Sequence, residues 1–210
     1  MRKDVRQFVR ACVTCQGTKA LRQKSGRLLQ PLPVPVHVWD DITMDFIVGL
    51  PPSRGYTTVM VVVDRLSKYS HFAALPAMFD TPKATTLFVD LIVRLHGLPK
   101  SIVSDCDPIF MSNFWTPLFT LSGTTLKLSM AYHPQTDGQT KVRIRGLEQY
   151  LRAFYHARPA KWSALLPWAE LALNSTYHEG IKMSPFKALY GRDPPPTTIH
   201  YGLEQRADAG

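Results

Sequence analysis

Two aspartates, Asp45 in DITMDF and Asp105 in SIVSD, stand in or at the end of apolar runs that read as strands. Acids on neighbouring strands can converge on one spot, each anchored to a rigid sheet by the apolar residues before it. Hydrolysis or transfer at a phosphodiester commonly uses two divalent cations roughly 4 Å apart, one activating the attacking hydroxyl and one stabilising the leaving oxygen. Magnesium takes hard oxygen donors, keeps several waters and uses few carboxylates. A plainer account stays open on this pattern alone, because aspartate also terminates strands and caps helices. Asp64, in VVVDRL, sits at a strand end too; an ion pair with Arg65 or a turn role accounts for it.

Cys12 and Cys15 form a C-x-x-C pair, half of a structural zinc site that normally needs four ligands, and all seven histidines follow it, beginning at His37. A zinc remnant, two small buried residues and a redox pair all fit the spacing. The last is disfavoured by the lack of a βαβ pattern after the pair. Cys106 stands alone.

The elements that must hold these residues can be read from periodicity. Residues 3–11 have helical apolar spacing, and the QPLPVPVHVW stretch reads as an extended connector. DITMDFIVGL alternates around Ile42, Met44, Phe46 and Val48, with Asp41, Thr43 and Asp45 on the other side. TTVMVVVDRLSKY and SHFAALPA follow as second and third strands of an antiparallel meander. A helix is predicted from Thr81-Pro82 to Gly97, then a short strand ending at Asp105. Next come a helix in NFWTPLFTLSG, a strand in TTLKLSMAY and a polar loop over 131–139. The long helix at about 140–157 puts Val142, Leu147, Tyr150, Leu151 and Phe154 on its apolar side; a last helix, WSALLPWAELALNSTYH, is interrupted at Pro167. Trp39, Trp115, Trp162 and Trp168 read as core, and Asn174 in its Asn-Ser-Thr triplet as part of an apolar helix. This alternation gives an α/β fold with a mixed sheet.

The chain has 210 residues and a formal charge of +9, unevenly spread. Residues 1–30 carry eight basic side chains against Asp4. Lys141, Arg143, Arg145, Arg152, Arg158 and Lys161 face only Glu148. Such clusters suit a phosphate backbone, giving affinity without base specificity. No run approaches the length of a membrane span, and MRKDVRQFVR lacks the apolar stretch of a signal peptide, so an intracellular protein is expected.

Seven stretches together carry a resemblance: GRLLQPLP, DITMDF, VVVDRLSK, RLHGLPKSIVSDCDPIF, LKLSMAYHPQTDGQT, LEQYLR and MSPFKALYG. They resemble the integrase portion of the polyprotein of a gypsy-class long-terminal-repeat retrotransposon, and they span the chain from Met1 to about Arg192. The resemblance implies a ribonuclease-H-like mixed five-stranded sheet flanked by helices. It divides the chain into a truncated zinc-module remnant and basic linker (1–30), a catalytic core (31–192) and a tail (193–210). It also implies magnesium or manganese as cofactor. The implied partners are DNA, as retrotransposon cDNA ends and target chromosomal DNA, and further copies of the chain; the implied location is the nucleus. Tyr132, His133, Gln135, Lys141, Arg143 and Arg145 resemble the family's DNA-holding loop and helix.

The family's first and second acids correspond to Asp45 and Asp105. The third, a glutamate directly after DGQT, corresponds to Lys141, with the spacing of 35 intervening residues kept. Ile144 and Asp107 replace the usual Asn and Gly, and of the family's His-His-Cys-Cys zinc set only Cys12 and Cys15 remain. A glutamate would offer an oxygen to the second metal, whereas an ammonium repels it, by about 4 kcal/mol at ~4 Å and an effective dielectric near 20. Glu148 lies on nearly the same helix face but about 10 Å further along. Asp137 would have to fold in from the loop. The resemblance thus implies a DNA-binding integrase core whose end processing and strand transfer are lost, with a non-catalytic binding or tethering module as the alternative.

Overall fold

The computed structural model describes residues 2–12, 35–76, 78–79, 81–105, 123–129, 138–155 and 159–194. Helix α1 (Arg2–Ala11) precedes a sheet of β1 (Asp41–Ile47), β2 (Tyr56–Asp64), β3 (Ser70–Pro76), β4 (Ser101–Asp105) and β5 (Thr125–Ser129). The sheet order is β3-β2-β1-β4-β5. The first three strands pair antiparallel, while β4 runs parallel to β1 and β5 parallel to β4. Between β3 and β4 lie α2 (Thr81–Phe88), a π turn (Val89–Val93) and α3 (Arg94–His96). After β5 come α4 (Gly138–Tyr155), α5 (Trp162–Ser175) and α6 (Pro185–Tyr190).

Both faces of the sheet are covered. One face packs Ile42, Met44, Phe46, Met60, Val62 and Leu75 against Ala84 and Phe88 of α2 and Ile92 of the π turn. The other packs Ile47, Val59, Val61, Val63 and Phe72 against Leu147 and Leu151 of α4 and Trp162, Leu166 and Ala169 of α5. Every residue of β2 from Thr58 to Asp64 is therefore buried, as the unbroken apolar run requires of a strand covered on both sides. The sheet flanked by helices agrees with the expected mixed α/β architecture; the helix expected in NFWTPLFTLSG lies outside the described residues.

Several sequence expectations need correcting. The segment 81–96 is not one regular helix, because the π turn resets its phase so that both Phe88 and Ile92 reach the core. Gly97 ends it at φ 85°, a conformation glycine adopts without steric cost. Helix α5 is not interrupted but continues through Pro167. Val142 is 57% and Trp168 50% exposed, and neither is core. The buried stripe of α4 runs through Arg143, Leu147 and Leu151 at intervals of four, leaving Val142 outside it. The stripe of α5 runs through Trp162, Leu166, Ala169 and Asn174, so Trp168 turns to solvent. Trp39 and Trp162 are buried as expected, and Trp115 lies outside the described residues.

Candidate active site

Asp45 sits late in β1, on the face it shares with Ile47, and is half-buried between the fully covered Met44 and Phe46. One of its carboxylate oxygens accepts from the Phe46 amide at 2.8 Å. Parallel pairing sets Thr43 beside Val103 and Met44 beside Ser104. Asp105, the last residue of β4, is one position beyond that pair, level with Asp45 on the neighbouring strand. Lys141 falls in the first turn of α4, and α4 packs on the sheet face that Asp45 shares. The backbone thus sets the two aspartates level on adjacent strands and Lys141 in the helix that covers Asp45's face of the sheet. Gly146 permits the close approach of α4 to α5, since a Cβ there would meet Leu173 at 3.3 Å.

The other strand acids have structural work. Asp64 is fully buried; Oδ1 accepts from the Trp39 amide at 2.9 Å, and Oδ2 from the Ser67 amide at 2.7 Å and the Ser67 hydroxyl at 2.5 Å. That is the turn role expected of it. The ion pair seen for Arg65 is with Asp41, at 3.7 Å, not with Asp64. Asp41 also accepts from the Ser101 hydroxyl, fastening the start of β1 to the start of β4. Glu148 pairs with Arg152 at 3.4 Å along α4, an ordinary exposed i,i+4 contact.

No family model matches the chain. Over 194 residues it is 32% identical to the Tf2-3 and Tf2-4 transposon polyproteins of Schizosaccharomyces pombe, a stretch that makes up 92% of this chain and 15% of either polyprotein. Among solved structures it resembles a chain of the simian T-cell lymphotropic virus intasome in complex with the PP2A regulatory subunit B56 gamma. There the TM-score is 0.64 at 14% identity, over 93% of this chain and 69% of that one. The HTLV-2 integrase catalytic core in complex with magnesium gives a TM-score of 0.57 at 15% identity, over 76% of this chain and 99% of that one. The BIV integrase catalytic core gives 0.56 at 19% identity, over 73% and 95%. The chain is thus similar to one segment of the Tf2 retrotransposon polyproteins, of whose length it spans 15%. Its sheet and flanking helices are the ribonuclease-H-like fold of integrase cores.

Within this integrase fold the basic residues of α4 divide into two kinds. Arg145 and Arg152 are exposed. Arg143, read from sequence as a DNA contact, is only 6% exposed and donates from Nη1 to the Leu173 carbonyl at 3.0 Å and from Nη2 to the Lys68 carbonyl at 2.8 Å. A guanidinium held so braces α4 against α5 and the β2–β3 turn and is not offered to a phosphate. Burial lowers its pKa. Burial is also the main cause that brings Lys68 down to about 8, with the Asp64 charge opposing and Arg65 and Arg143 adding to the fall. Cys12 follows α1, its amide donating to the Phe8 carbonyl at 2.9 Å. Cys15, Tyr132, His133 and Gln135 lie outside the described residues, as do Asp107 and Asp137.

Sequence reasoning did not single out Glu170, His71 or His96. They come together from α5, β3 and α3 at separations of 99 and 25 residues, and no local motif signals such a meeting.

Proposed function

We propose that this chain is the catalytic core of a retrotransposon integrase that holds DNA but has lost end processing and strand transfer. The observation that carries this reading is the position of Lys141, in the first turn of the helix that packs on Asp45's side of the sheet. Aspartates at level positions on adjacent parallel strands would offer hard oxygen donors to one divalent cation. They do not fit a pair, since the helix position that would supply the second cation's oxygen carries an ammonium. Asp45 and Asp105 would hold the remaining magnesium or manganese. Bound there, it would act as a Lewis acid on a phosphoryl oxygen. The magnesium complex of the HTLV-2 core supports the choice of metal by analogy. Zinc at Cys12 and Cys15 would need two further ligands.

DNA is the proposed partner, with retrotransposon cDNA ends and chromosomal target as the ancestral substrates, and self-association is proposed from the assemblies that related structures form. Exposed Arg145, Arg152 and Lys161 would contact phosphates without reading bases. That exposed basic surface equally favours the second reading, a DNA-binding or tethering module. Such work takes place in the nucleus. No helix among the described residues is long and apolar enough to cross a membrane.

Magnesium- or manganese-dependent cleavage of branched and linear duplex DNA, compared between the natural chain and Lys141→Glu, tests the proposal. The natural chain is expected to be inactive and the variant to gain metal-dependent cleavage, as the return of a metal oxygen donor requires. Equal activity in the two would refute the loss of function; DNA binding with no activity in either favours the tethering module.

A further inference from the structure

Three side chains meet where edge strand β3, the short helix α3 and α5 come together. His71 Nδ1 lies 2.9 Å from Glu170 Oε1, and His71 Nε2 lies 2.9 Å from His96 Nε2. The two imidazole centroids are 5.2 Å apart with planes inclined by 32°. At that nitrogen separation the rings meet end to end and do not stack. Trp39 spans both, its ring 3.9 Å from that of His96 at 6° and 5.3 Å from that of His71 at 27°. The second Glu170 oxygen accepts from the Phe72 amide at 3.0 Å, which fixes the carboxylate on the backbone of β3.

Proton positions follow from this geometry. A carboxylate only accepts, so His71 carries its hydrogen on Nδ1, and Nε2 of neutral His71 presents a lone pair to a donating His96. One added proton reverses the inner bond: His71 becomes an imidazolium donating both to Glu170 and to His96, whose hydrogen moves to Nδ1. A second added proton sets two N–H groups head to head with no acceptor between them. A zinc-type ion would need ~2.0–2.1 Å to each nitrogen, more room than this end-to-end contact leaves, whereas a proton fits it.

We propose that Glu170, His71 and His96 form a proton-operated latch that fastens α3 and α5 to the edge of the sheet and is forced open by the second added proton. Among the described residues Tyr69 of β3 packs on His71 and is itself backed by Tyr190 of α6, and burial raises the Tyr69 pKa, so it stays neutral in acid. Arg54 shares with Glu170 the lining of an open groove of about 520 Å³, which also includes Phe72, Leu91 and Pro167. Burial first, and the His71 charge second, bring His96 down to about 4. The unfolded chain binds that proton near 6.5. The latch therefore stabilises fully above the unfolded value and weakens as pH falls toward 4.

Histidine-selective nitrogen NMR and thermal melts of the full chain between pH 7.5 and 4, on the natural protein and His96→Gln, test the latch. Glutamine still donates to His71 Nε2 but takes up no proton. The natural chain is expected to titrate His71 and His96 in two coupled steps. Its folding constant should fall by up to about tenfold per pH unit between pH 6 and 4.5, with a slope about one proton shallower in His96→Gln. Independent titration of the two rings at one ordinary midpoint in the natural chain overturns the latch, whether or not the variant folds; so does an unchanged acid slope in a folded variant.

Discussion

Asp64 and Asp45 are both strand aspartates on paired strands, and what surrounds each carboxylate separates their roles. Asp64 is fully buried and receives the Trp39 amide, the Ser67 amide and the Ser67 hydroxyl, so its oxygens are committed to the β2–β3 turn and the entry to β1. Asp45 is only half-buried, late in β1, level with Asp105 on the neighbouring strand. Replacing Asp64 with alanine strands three buried donors, each costing about 1–3 kcal/mol. Asp64→Ala should therefore lower stability by roughly 3 kcal/mol or more and the melting temperature by about 6–12 °C, read by circular dichroism. Trp162 is fully buried and donates from Nε1 to the Pro51 carbonyl at 2.6 Å. Asn174 clamps Ser70 through both its amide groups, at 2.9 and 2.8 Å, which puts its side chain out of reach of glycosylation.

At the scale of elements, α4 is the one whose placement matters most, because it carries Lys141. Its inward stripe combines two leucines with Arg143, and the arginine reaches past the leucines to carbonyls on α5 and on the turn after β2. Lys68, which supplies one of those carbonyls, holds φ at 64°, so the turn is shaped by conformation as well as by the Asp64 bonds. Arg143→Met keeps the buried volume but removes both bonds. We expect a loss of about 2 kcal/mol in denaturant unfolding and faster hydrogen exchange in the first turns of α4. Helical periodicity placed Val142 on the apolar side, and the family resemblance implied Arg143 as a DNA contact. The opposite arrangement arises because α5 and the turn present the Leu173 and Lys68 carbonyls just where the guanidinium can reach them.

For the molecule as a whole, +9 of net charge favours polyanions electrostatically, and its distribution sets which residues would contribute. DNA affinity should fall steeply with salt, with a log–log slope near −0.9 per phosphate contact. Substituting both Arg145 and Arg152 with glutamine should reduce that slope by about two, whereas Arg143→Met should leave it unchanged in a folded chain. Fluorescence anisotropy with a labelled duplex across 50–300 mM salt, on the order of the range in which counterion release dominates, measures both.

The sequence by itself determined the strands and their order of appearance. Apolar alternation in DITMDF and the unbroken run in VMVVVD are local consequences of whether one face of a strand or both will be covered. Only the tertiary structure decided which cation is a brace and which faces water, that Asp64 caps a turn, and that His71, His96 and Glu170 meet beneath Trp39. Burying a polar group depends on the donors and acceptors that distant segments bring to it, and periodicity along the chain holds no record of those partners.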